Sequence, residues 1–64
     1  MMKIKTYDVY FYFGVYVPNP FMKASKVVEV EIEENSTEKD IILKALGKIG
    51  AYPKTYAANV IERK

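Results

Sequence analysis

Cysteine and histidine are both missing from the 64 residues. Without cysteine there is no disulfide to staple a small core and no thiol chemistry. Without histidine the commonest metal ligand and the usual neutral-pH general base are gone. Glycine is scarce, with only Gly14, Gly47 and Gly50, each isolated, so no glycine-rich phosphate loop exists. Long apolar runs are also lacking. The longest covers residues 9–17, far short of the roughly 18 residues needed to cross a bilayer. The opening Met1-Met2-Lys3-Ile4-Lys5 has no apolar stretch leading to small cleavage-site residues. These absences lead us to expect no signal peptide, no membrane span and a cytoplasmic chain.

What remains suits one small domain over residues 1–64. A chain this short buries only about 60% of the surface its unfolded form exposes. Small domains offset that deficit with disulfides, metals or partner subunits, and here self-association is the device left. Half the residues are apolar, too many for a disordered tail. The net charge of +2 is unevenly spread. Residues 3–28 carry four lysines against Asp8, a net +3. Residues 29–40 carry six acids against Lys39, a net −5, and residues 41–64 five bases against Glu62, a net +4.

Two rhythms organise the chain. Over residues 5–17 the odd positions Tyr7, Val9, Phe11, Phe13, Val15 and Val17 are apolar. The even positions Thr6, Asp8, Tyr10, Tyr12, Gly14 and Tyr16 are tyrosine-rich. Alternate side chains of a strand face opposite ways, so the spacing predicts a long strand with one oily face and Gly14 as a bend. Pro18 and Pro20 stop it, being unable to donate to a ladder. Residues 18–23 are the expected connection, with Phe21 and Met22 folded back as a plug. Over residues 24–33 alternation returns, Val28, Val30 and Ile32 against Glu29, Glu31 and Glu33, and an antiparallel hairpin follows.

The rhythm then changes to that of a helix. Ser36 or Thr37 can cap it, and Glu38 and Asp40 suit its positive end. Ile41, Ile42, Ala45, Leu46 and Ile49 form one stripe, Leu43 lies outside it, and Gly50 ends the helix. A helix over residues 37–49 is predicted, then a loop over residues 51–54 containing Pro53. Residues 55–64 read as a third strand with Tyr56, Ala58 and Val60 on one face, or alternatively as a short helix capped by Thr55. The strand is the better expectation, because a hairpin and one helix make a meagre core.

The fold class is therefore α+β: a long antiparallel β-hairpin, one helix packed on one face and a short third strand (ββαβ). The expected core is Phe11, Phe13, Val15, Val28, Val30, Ile32, Ile42, Leu46 and Ile49. The element order, with an acidic turn before the helix, resembles a minimal ubiquitin-type β-grasp unit, although a complete one has more sheet.

Enzymatic readings fail early. Ser25 and Ser36 have no histidine to activate them. Glu29, Glu31 and Glu33 lie on an outward strand face, where no apolar pocket raises a carboxyl toward acid-base work. Residues 31–40 are rich in oxygen ligands but lack the alternating ligand loop with a central glycine that holds calcium. No enzyme activity, cofactor or metal site is expected.

The tyrosine-rich face carries the strongest functional signal. Exposed aromatics on a sheet can stack bases. The string Tyr12-Phe13-Gly14-Val15-Tyr16-Val17 is similar to the central-strand signature of RNA-recognition motifs, but lacks the basic-glycine opening and has Val15 where an aromatic belongs. Phosphate binding also needs lysine and arginine, whereas this face offers Asp8, Glu29, Glu31 and Glu33. Tyrosine beside glutamate fits a protein surface better. The expected interface is Tyr10, Tyr12, Tyr16, Glu29 and Glu31, meeting a second copy (a dimer first) or a basic protein segment. The plainer reading is that the tyrosines merely cover the sheet. The alternative function is nucleic-acid binding by a basic patch of Lys44, Lys48, Lys54, Arg63 and Lys64.

Overall fold

The computed structural model describes residues 3–17, 21–50 and 53–63. The elements are β1 (Ile4–Phe13), β2 (Lys26–Glu33), α1 (Glu38–Ile49) and β3 (Tyr56–Glu62). They form one sheet in the order β2-β1-β3, with β1 antiparallel to both neighbours. This is the α+β, ββαβ arrangement that the alternation predicts. The tail is a strand, because its alternate residues Tyr56, Ala58 and Val60 lie opposite Phe13, Phe11 and Val9 and pack against the same core.

That core lies between the oily face of the sheet and the helix. Tyr7, Val9 and Phe11 of β1, Val28 and Val30 of β2, and Ile41, Ala45 and Leu46 of α1 are buried. Val9, Phe11 and Val30 have no exposed surface at all, so each gains the full ~1.5–3 kcal/mol that burying such a side chain contributes. Of the expected core, Phe11, Val28, Val30 and Leu46 are buried, while Phe13, Ile32, Ile42 and Ile49 pack half-buried around them. Val15 lies outside the cluster, and Tyr7, Val9, Ile41 and Ala45 belong inside it. Phe11 contacts Phe13 at 6.1 Å and meets Tyr56 edge-on at 5.9 Å between ring centroids, an aromatic set at one end of the core.

Local signals set the boundaries. β1 stops at Phe13, four residues sooner than the alternation suggests. Gly14 takes φ +83°, a left-handed conformation that only glycine adopts cheaply, and turns the chain out of the sheet. Its N–H donates to the carbonyl of Thr55, the residue before β3, at 2.9 Å. Phe21 is 94% exposed and Met22 half-buried, so Phe21 does not plug the hairpin end. With the strand over at Phe13 the connection is longer, and Phe21 lies on its surface. Residues 18–20 fall outside the described residues.

Thr37 is the N-cap of α1. Its hydroxyl accepts from Asp40 N–H at 3.2 Å, and the Asp40 carboxylate accepts from Thr37 N–H at 3.3 Å, a reciprocal pair that satisfies two orphan donors. Gly50 closes the helix in the left-handed region, its N–H bonded to the Leu46 carbonyl.

Candidate functional site

Register decides which side chains share the second face of the sheet. Tyr10 lies between Val27 of β2 and Asn59 of β3, Asp8 between Glu29 and Ile61, and Tyr12 beside Ala57. No described element covers this face. Tyr10 and Tyr12 are half-buried, while Val27, Ile61 and Ile4 keep about half their surface exposed. The odd-even sorting of β1 thus holds over residues 6–13, with Tyr7, Val9, Phe11 and Phe13 on the helix side and Tyr10 and Tyr12 on the open side.

Tyr16 does not belong to this face. It lies beyond the Gly14 turn and is 78% exposed, so the expected trio reduces to Tyr10 and Tyr12. The same turn removes the likeness to the RNA-binding signature, since residues 14–17 leave the sheet. Tyr7 faces the helix and is buried.

Glu29 and Glu31 are on the open face, as the alternation predicts, but Glu29 is already occupied. The Arg63 guanidinium donates to Asp8 and to Glu29, with its Nε 3.3 Å from Asp8 Oδ2. Hydrogen bonding to Asp8, then to Glu29, holds the Arg63 pKa above its ordinary range. A basic segment from a partner would compete with the chain's own arginine here. Sequence reasoning placed Arg63 in a basic patch. The signal that locates it is parity: if Tyr56, Ala58 and Val60 face the core, then Asn59, Ile61 and Arg63 face the open side.

The other bases are dispersed. Lys44 Nζ donates to the Glu31 main-chain carbonyl at 2.6 Å, and Lys48 Nζ to that of Glu29 at 2.7 Å. Both therefore lie along the rim of β2. Lys54 is exposed in the turn before β3, roughly 30 Å of extended chain from Arg63. Lys64 lies outside the described residues. Of the four described bases expected at a nucleic-acid patch, Lys44, Lys48 and Arg63 are engaged within the chain. Among the described residues no three metal-ligating side chains come together, and no helix is long and apolar enough to cross a membrane.

No protein-family model matches the chain, and no curated protein or solved structure matches it either.

Proposed function

We propose that the chain is a non-enzymatic interaction module that self-associates through the open face of its sheet. One observation supports this above the rest. A face of three strands carries Tyr10, Tyr12, Val27, Ala57 and Ile61, with no described element packed on it. Sheets of this kind bury such a face against another layer, and tyrosine contributes large contact area with a hydroxyl that tolerates water.

A second copy fits better than a basic segment, because Arg63 already pairs with both Asp8 and Glu29. Two open faces stacked about 10 Å apart would interdigitate their tyrosines with Val27 and Ile61. Charge at the rim would then set orientation more than affinity.

Sedimentation equilibrium of the wild type against Tyr12→Glu tests the reading. The wild type should be heavier than Tyr12→Glu at matched concentration, because a carboxylate within the contact loses its water without a partner. Equal masses for the two would overturn it.

A further inference from the structure

The two edges of the sheet are treated differently, and from that difference we infer that β3 pairs, antiparallel, with β3 of a second copy. The inference rests on main-chain groups at the rim and goes beyond the open-face reading.

Hydrogen-bond parity shows which groups are spare. Glu34 N–H donates to the Lys3 carbonyl at 2.9 Å, so even-numbered residues of β2 bond to β1, while Val27, Glu29, Glu31 and Glu33 point their main-chain groups outward. Arg63 N–H donates to the Thr6 carbonyl at 2.8 Å. Odd-numbered residues of β3 therefore bond to β1, and Tyr56, Ala58, Val60 and Glu62 point outward.

An exposed edge is a template for another strand, and proteins block unwanted pairing with lysine. On β2 the block is present, since the ammonium groups of Lys44 and Lys48 sit on the outward carbonyls of Glu31 and Glu29. On β3 no described residue bonds to the outward groups, and residues 57–61 are uncharged. Tyr56, Ala58 and Val60 are also only half-buried within one chain. An incoming strand would complete their cover.

Self-complementarity favours a second copy as that strand. With Ala58 opposite Ala58 across a two-fold axis, Tyr56 meets Val60, an aromatic against a β-branched residue. Lys54 then comes level with the second copy's Glu62, one of whose oxygens accepts from Lys5 at 3.2 Å. Opposite charges thus meet at both ends, as an isologous contact requires. The product is one six-stranded sheet with a single continuous open face.

Amide exchange on the wild type tests this without any substitution. The amides of Ala58 and Val60 should gain protection as concentration rises from about 10 µM to about 1 mM, while those of Glu29 and Glu31 on the blocked edge stay open. Total synthesis gives a second test through a chain N-methylated at Ala58, which loses one outward N–H and no bond within the sheet. It should associate at least tenfold more weakly and keep the slow Val9 and Phe11 amides of a folded chain. Ala58 and Val60 exchanging as fast as Glu29 and Glu31 at the highest concentration would overturn the pairing. So would an N-methylated chain as heavy as the wild type, whatever Tyr12→Glu does. If the pairing holds and Tyr12→Glu leaves the mass unchanged, the edge contact stands and the open-face reading falls.

Discussion

Lys48 reaches from the last turn of α1 to the main-chain carbonyl of Glu29 at 2.7 Å, and Lys44 repeats the contact on Glu31 one helical turn earlier. The spacing is matched: four helical residues rise about 6 Å and two strand residues about 6.6 Å. Helix and strand run in opposite directions here, and lysines that read as ordinary outer-face charges seal one rim of the sheet.

Replacing both lysines, as Lys44→Met with Lys48→Met, removes the ammonium groups and keeps the apolar stems. A charge-assisted bond to an exposed carbonyl contributes about 0.5 kcal/mol, so the double variant should stay folded. Its rim would be open, and static light scattering should show concentration-dependent growth beyond the wild-type assembly. Scattering identical to wild type would mean that the lysines do not guard the edge.

The helix was legible because every signal agreed. The stripe from Ile41 to Ile49, the cap at Thr37 and the stop at Gly50 coincide in the structure. The strand predicted over residues 5–17 ends at Phe13: alternation of side-chain type continues past Gly14, whereas the extended backbone does not. The open face was half legible. Tyr10, Tyr12, Glu29 and Glu31 follow from parity within the hairpin, but Arg63 depended on the register of a strand whose very existence was in question. The lysine contacts depended on where the helix crosses the sheet, which no local pattern encodes.

Core and surface positions of similar chemistry should part sharply. Phe11 is fully buried and Leu43 is 52% exposed outside the helix stripe. Phe11→Ala should cost about 3–5 kcal/mol, comparable to the entire ~3–5 kcal/mol such a small core supplies, and leave the chain largely unfolded at 25 °C. Leu43→Ala should change stability by less than about 0.5 kcal/mol. Urea titration followed by circular dichroism measures both.

Gly47 within α1 and Gly50 at its C-cap should respond in opposite directions. Gly47 has helical geometry and open space where a Cβ would go, so Gly47→Ala should stabilise by about 1 kcal/mol. Gly50 also has room but sits at φ +75°, so Gly50→Ala should destabilise by about 1 kcal/mol. Thermal melts of the two variants would read the contrast directly.

Lys5 reports on the junction of β1 and β3. Its hydrogen bond to Glu62, then the Glu62 charge, push its pKa above the ordinary lysine value. A folded-state pKa raised in this way adds stability that is fully present below the unfolded lysine value, about 10.4, and is lost as pH rises through the folded value. In Glu62→Gln the Lys5 pKa should fall back toward the ordinary value, as followed by its side-chain carbon shifts in an NMR titration. An unmoved Lys5 titration would contradict the pairing.

The most direct trial of the open-face account is hydroxyl-radical footprinting of the tyrosines across a dilution series. Tyr10 and Tyr12 should become shielded as the chains come together, while Tyr16, off the sheet and largely exposed, stays reactive throughout. Tyr10 and Tyr12 keeping the same reactivity from dilute to concentrated solution would contradict the account.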